Sequence, residues 1–173
     1  MDVKSIVKLA EDAGLAILEI YNREEGFEIS NKSDNSPLTE ADIAAHNVIV
    51  EGLQSLNNFP IVSEEGNVGD PLSSNTCWLV DPLDGTKEFI KRNGMFTVNI
   101  ALMKKNGKRW SPLFGVVHAP VTNTTWWGGV LQPSERQGPS GSGLMRVNPS
   151  NPPNPTRLVA SGSHRGEKDE SFA

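Results

Sequence analysis

Over the first twenty-odd residues the apolar side chains Ile6, Leu9, Ala10, Ala13, Ile17, Ile20 and Tyr21 recur at steps of three and four, with Lys4, Lys8, Glu11 and Asp12 between them. That spacing predicts an amphipathic helix, and Gly26 just past its end is a typical stop. The polar stretch 31–37 predicts a loop or hairpin tip. A second helix is expected to start near Thr39, with Ile43, Val50, Leu53 and Leu56 as its core contacts. After Pro60 the pattern changes to short β-rich runs at 61–63 and 77–80, each leading directly into acidic residues. Longer strands are predicted over 96–103 and 113–118, joined through Asn106-Gly107, a type I′ hairpin signal whose neighbouring lysines read as a solvated tip. Another strand runs through 124–127, with Trp126 and Trp127 on opposite faces.

From 132 to 155 the chain concentrates six of its 12 prolines among Gly, Ser and Asn, which predicts a long loop or linker. A last β-like run at 157–161 follows. The expected organisation is therefore a catalytic domain over 1–131 with a helix pair and a sheet, a linker over 132–156, and the start of a further unit over 157–173.

Composition narrows the class. The chain has 173 residues, enough for one domain with a real core. Its 16 basic and 21 acidic side chains leave a net charge of −5, which argues against a basic face for a nucleic-acid polymer. One cysteine, Cys77, excludes an intrachain disulfide and fits a reducing compartment. No apolar run approaches the length of a membrane span, and the N-terminus lacks the apolar centre of a signal peptide. The expected location is the cytoplasm, with peripheral attachment at the inner membrane left open.

Three acidic clusters carry the candidate chemistry: Thr39-Glu40-Ala41-Asp42, Ser63-Glu64-Glu65 and Asp81-Pro82-Leu83-Asp84-Gly85-Thr86. Each has a plain reading on its own, namely a capping box, a solvated strand end, and a turn with Asp84 as a helix cap. Together, at the ends of apolar runs, they offer the oxygen ligands that a hard divalent cation requires. Asp81 and Asp84 can bracket such an ion, Pro82 stiffens the turn between them, and the Leu83 carbonyl is free to point inward. The helix start after Gly85 adds exposed N–H groups beside the ion, as a phosphate site requires.

These residues resemble the lithium-sensitive, Mg²⁺-dependent inositol monophosphatase superfamily. The resemblance rests on Lys32-Ser-Asp-Asn-Ser-Pro-Leu-Thr-Glu-Ala-Asp42, Ser63-Glu64-Glu65 and Trp78-Leu-Val-Asp81-Pro-Leu-Asp84-Gly-Thr86. Lys87-Glu-Phe-Ile-Lys-Arg-Asn-Gly94, 96–102 and Gly115-Val-Val-His-Ala-Pro120 are similar, more narrowly, to bacterial 3′(2′),5′-bisphosphate nucleotidases. The resemblance implies an α+β fold, helices layered on an antiparallel sheet, as the N-terminal half of an αβαβα sandwich. It implies hydrolysis of adenosine 3′,5′-bisphosphate to AMP and phosphate by a metal-activated water, in the service of sulfur metabolism. It also implies two or more Mg²⁺ ions and inhibition by Li⁺.

The residue roles it implies are as follows. Glu64, Asp81 and the Leu83 carbonyl hold one Mg²⁺, and Asp81 bridges to a second ion bound by Asp84. Asp42 and Thr86 orient and deprotonate the water, with Glu64 and Glu65 in support. Gly85 and Thr86 grip the phosphate through their backbone, and Ser161 and His164 contact substrate beside Glu64, Leu83 and Asp84.

Relatives of this kind continue into a second α/β half with a Trp-Asp motif that completes the second metal site. Asp169 has no Trp before it and is not a candidate. On that resemblance the chain is a C-terminally shortened member, and the sheet surface left uncovered invites pairing into a homodimer. Two alternatives stay open: an inositol or sugar monophosphatase, disfavoured by the 87–94 extension, and a metal-binding fragment without turnover.

Overall fold

The architecture comes from a computed structural model that describes residues 2–32, 37–130 and 132–145. Helix α1 spans Val3–Tyr21, capped by the Asp2 carboxylate, which accepts from the Lys4 N–H at 3.1 Å. Its buried stripe contains Ile6, Leu9, Ala10, Ala13, Ile17 and Ile20, as the spacing predicts. Strands β1 (Ile29–Asn31) and β2 (Pro37–Thr39) form a two-stranded antiparallel ribbon that delivers the chain into α2 (Glu40–Leu56).

Of the core contacts expected on α2, Leu53 is buried and Val50 packs against the core, whereas the rest of the buried face differs. Ala41, Ala45, Ile49 and Leu53 are buried, whereas Ile43 and Leu56 are 39% and 41% exposed. Small residues decide this, because they let α2 lie close against α1. A Cβ on Gly52 would stand only 2.3 Å from a Leu9 methyl, so the face of closest approach must carry the small side chains.

Seven strands follow, lying side by side in chain order: β3 (Ile61–Ser63), β4 (Thr76–Asp84), β5 (Thr97–Asn106), β6 (Arg109–Ala119), β7 (Thr124–Gly129), β8 (Gln132–Gly138) and β9 (Gly141–Leu144). The one-turn helix α3 (Thr86–Ile90) sits between β4 and β5. The α+β class holds, but the sheet is mixed, since β3 runs parallel to β4 while the remaining pairs are antiparallel. A tight hairpin forces antiparallel neighbours. Here residues 64–75, with a 3-10 turn at Pro71–Ser73, carry the chain back along the sheet before β4 begins.

Two further expectations change. Asn106 pairs with Arg109, so the hairpin loop is Gly107-Lys108. Positive φ falls only on Gly107 (+63°), the first loop position, as in a type II′ turn. Residues 132–144, expected to open the linker, form the outer hairpin β8–β9. β9 is an edge strand exposed throughout, so no buried face imposes an apolar alternation, and Gly and Ser there resemble a loop. The rest of the expected linker and the run at 157–161 lie outside the described residues.

The core lies between the helix pair and one face of the sheet, where Trp78, Val80, Phe96, Val98, Ile100, Phe114 and Val116 are almost fully buried. The opposite face carries a trough of about 550 Å³ between Val62, Leu79, Ala101, Gly115 and Val117. Leu79 and Val117 are partly exposed there.

Candidate active site

The parallel β3–β4 pair creates the site. Because Ser63 lies opposite Val80, both strands end on the same side of the sheet, and Glu64 follows directly beside Asp81. The Glu64 N–H donates to the Val80 carbonyl at 3.1 Å, which continues the ladder to the edge of the site. In a regular strand Asp81 and Asp84 would face opposite ways. The pairing of β4 with β5 instead shifts register between them, with Asp81 opposite Asn99 and Asp84 opposite Thr97. The extra residue is a bulge at Pro82-Leu83, and Pro82 suits it because it has no N–H to leave unpaired.

The Asp81 carboxyl is pushed up to about 7, first by burial and then by the negative charges of Glu64 and Asp84. Its Oδ1 is buried and has no hydrogen-bond partner among the described residues. A buried oxygen of this kind wants a proton or a cation. Asp84 is exposed and accepts from the Asn99 side-chain amide at 3.3 Å.

A second group forms at the start of α2. Thr39 caps the helix, and the Asp42 Oδ2 accepts from the Thr39 N–H at 2.8 Å and the Thr39 hydroxyl at 2.5 Å. The expected capping box is therefore present. The other carboxylate oxygen, Oδ1, lies 3.2 Å from the Thr86 hydroxyl, which also stands 3.3 Å from the Leu83 carbonyl. Cap and site reading thus coincide in Asp42: one oxygen serves the helix and the other faces the loop of β4. Burial raises the Asp42 pKa, and the hydrogen bonds from Thr39 work against that rise.

Gly85 makes the junction with α3 feasible. Its φ is +99°, and a Cβ there would stand 2.9 Å from the Met95 carbonyl oxygen. With only five residues, α3 offers first-turn N–H groups without intrahelical partners but little accumulated dipole.

The structure brings Asp42, Leu83 and Thr86 together, and places Asp81 near both Glu64 and Asp84. Glu64 and Glu65 are both engaged by Lys32, whose Nζ lies 2.6 Å and 2.7 Å from their carboxylate oxygens. Burial opposes the Lys32 charge, yet the two carboxylates outweigh it and hold the ammonium above its ordinary pKa. Among the described residues, no three His, Cys, Asp or Glu side chains close on one point as a metal group. Glu64 is drawn toward Lys32 and Asp84 toward Asn99. Ser161 and His164 lie outside the described residues. Sequence reasoning assigned no role to Lys32 or Asn99. Lys32 stood within a quoted motif, whereas Asn99 becomes visible only through the strand register.

Paired strand ends thus present carboxylates beside a backbone carbonyl and a Thr–Asp pair, an oxygen-rich set of donor atoms. Residues 2–170 match the inositol monophosphatase family, and the chain belongs to that family. It is 51% identical over 124 residues to the 3′(2′),5′-bisphosphate nucleotidase CysQ of Escherichia coli (strain K12), an alignment covering 70% of this chain and 49% of that protein. The crystal structure of CysQ from Bacteroides thetaiotaomicron, a bacterial member of the family, is similar with a TM-score of 0.74 at 34% identity. That match covers 98% of this chain and 65% of the other. An IMPase from Thermotoga maritima matches with a TM-score of 0.70 at 26% identity, covering 86% of this chain and 55% of that one. The chain spans about half the length of the curated relatives it matches. Among the described residues, no helix is long and apolar enough to cross a membrane.

Proposed function

We propose that this chain carries the metal-holding and water-activating part of a phosphomonoesterase that converts adenosine 3′,5′-bisphosphate to AMP and phosphate. The observation that carries the reading is the buried Oδ1 of Asp81, unpartnered among the described residues, at the shared end of β3 and β4 and crowded by Glu64 and Asp84. Carboxylate and carbonyl oxygens are the donors that Mg²⁺ prefers. Glu64, Asp81 and the Leu83 carbonyl would hold one ion, and Asp81 and Asp84 a second. Bound there, Mg²⁺ supplies charge neutralisation and a lowered pKa for a water molecule.

The chain's own residues do the rest. The Asp42 Oδ1 accepts a proton through the Thr86 hydroxyl 3.2 Å away, and the Thr39 cap keeps that carboxylate from turning aside. The N–H groups of Gly85 and Thr86 orient a phosphate at the head of α3. Lys32 neutralises Glu64 and Glu65 and so eases the approach of an anionic substrate. Ser161 and His164 remain candidate substrate contacts. The nucleotide substrate is supported by the names of the relatives, and a cytoplasmic location by the single, unpaired cysteine.

Mg²⁺-dependent phosphate release tests the reading, with adenosine 3′,5′-bisphosphate and inositol 1-phosphate compared side by side and Asp84→Asn as the blank. Release from the nucleotide alone, abolished in the variant and inhibited by Li⁺, is the expected result. Release from inositol 1-phosphate alone would replace the substrate. Metal binding without release from either would leave the second reading, in which Lys32 keeps Glu64 engaged and the site holds an ion without turnover.

A further inference from the structure

One buried polar contact beside the site is used by none of the roles above. On α2, one turn beyond Asp42, the half-buried His46 places Nδ1 2.8 Å from the Ser63 hydroxyl. Ser63 is the last residue of β3, is 7% exposed, and immediately precedes Glu64 and Glu65. The same Ser63 oxygen accepts from the Glu65 N–H at 3.4 Å, and the Ser63 N–H is taken by the Asn67 side-chain oxygen at 3.3 Å. A serine hydroxyl has one proton and two lone pairs. Its proton or its second lone pair meets the His46 ring nitrogen, and either arrangement joins α2 to the end of β3. The order of contacts runs from α2 through His46 and Ser63 to the Glu65 amide.

We propose that His46 is a positioning residue that ties the Glu64-Glu65 loop to the helix carrying Asp42, and thereby sets the geometry of the carboxylates that take the metal. This rests on the reading of Glu64 as a metal ligand. The physical case is one of linkage between separate elements. Asp42 and Thr86 are joined by a direct hydrogen bond, and Asp81 and Asp84 share one strand. Glu64 and Glu65 follow a strand of only three residues that pairs with β4 and, through Ile61, bridges to Val68, and both side chains are engaged by Lys32. The His46–Ser63 contact is a hydrogen bond from the helix to that loop. It uses neither the Glu64 nor the Glu65 carboxylate. Groups that hold a ligand-bearing segment from behind typically govern metal affinity by about 10- to 100-fold.

The test uses the 173-residue chain and Mn²⁺ as the probe, with binding read by titration calorimetry. His46→Leu removes the ring nitrogen at similar bulk, and His46→Asn returns a polar amide atom near the Nδ1 position. The expected result is about a tenfold weaker Mn²⁺ affinity in His46→Leu, with His46→Asn recovering most of it. Ser63→Ala should match His46→Leu, and the double variant should be no worse than either, because both cut the same connection. Hydrogen exchange at the Glu65 amide supplies a readout independent of metal: protection should fall in His46→Leu and Ser63→Ala and persist in His46→Asn. Unchanged Glu65 protection together with wild-type Mn²⁺ affinity in His46→Leu overturns the proposal, as does a loss that His46→Asn fails to restore. A wild-type chain that takes up no Mn²⁺ refutes the metal site itself, and the Glu65 exchange then decides the His46 tie separately. If His46→Leu does not fold, Ser63→Ala and His46→Asn carry the same comparison.

Discussion

Asp42 has two occupations, and the structure separates them atom by atom. Oδ2 completes the α2 cap and Oδ1 faces the Thr86 hydroxyl. Asp42→Asn can keep the first and spoil the second. Both Thr39 contacts are donors, so the amide oxygen must take the Oδ2 position, which leaves the NH₂ facing Thr86. The Thr86 hydroxyl then turns to donate to the Leu83 carbonyl 3.3 Å away and accepts from the amide. Every buried polar group stays satisfied, and a buried charge is removed. Burial raises the Asp42 pKa, so ionisation costs native stability as pH rises through the folded value, and Asn escapes that cost.

The cost of Asp42→Asn to stability should therefore stay below about 1 kcal/mol. Asp42→Ala keeps the Thr39 cap on the Ala41 N–H but leaves the buried Thr39 N–H without its acceptor, a cost of about 1–3 kcal/mol. Urea denaturation of the two variants at pH 7 measures that difference. Phosphate release by Asp42→Asn should fall by about 10²- to 10⁴-fold, the usual contribution of a positioned base, with Mn²⁺ affinity nearly intact. Equal destabilisation of the two variants would show that the charge, not the acceptor geometry, holds the helix start. Wild-type turnover in Asp42→Asn would remove Asp42 from the chemistry.

Other outcomes follow from the same site. Asp81 has its folded pKa raised from 3.8 to about 7, so its contribution to the metal-free chain is full below pH 4 and disappears as pH rises through 7. Thermal melts from pH 4 to 8 should show that decline, and Asp81→Asn or added Mg²⁺ should flatten it; a decline unaffected by either would locate it elsewhere. Gly85→Ala should cost about 1–2 kcal/mol from left-handed strain alone. The contact with the Met95 carbonyl adds to this, and wild-type stability in urea would contradict the turn geometry. Arg92 donates to the carbonyls of Tyr21 and Arg23 at the end of α1 and lies over the Tyr21 and Phe27 rings. Arg92→Ala should lower stability by about 1–2 kcal/mol, with Lys recovering only part because it lacks the planar fork. Equal stability of the Lys variant and wild type would refute the stacking argument. Gly14→Ala would place a Cβ 2.5 Å from the buried His118 ring, and its melting temperature should fall by several degrees.

Much of this was legible in the linear pattern because it is set by neighbours along the chain. The stripe of α1, the Thr39–Asp42 cap and the strands ending in acidic residues depend on residues only a few positions apart, where periodicity and capping chemistry act directly. On α2, Leu53 and Val50 were legible, but Ile43 and Leu56 were misread because they are larger than Ala41 and Ala45, while close packing at Gly52 and Leu9 rewards small side chains, a fact held by α1 and not by α2. The β8–β9 hairpin was misread because its edge position leaves no apolar alternation to see.

The candidate site divides the same way. The types and spacing of Asp42, Glu64, Asp81, Asp84 and Thr86 were determined by sequence, since oxygen ligands must come from particular side chains whatever the fold. Their convergence was decided by tertiary structure: a parallel β3–β4 pair, a bulge at Pro82-Leu83, and a helix that brings Asp42 to Thr86 across 44 positions. Lys32 between Glu64 and Glu65, and His46 behind Ser63, belong to that second category. Pairings between distant residues leave no period in a sequence, because the distance along the chain is unrelated to the distance in space.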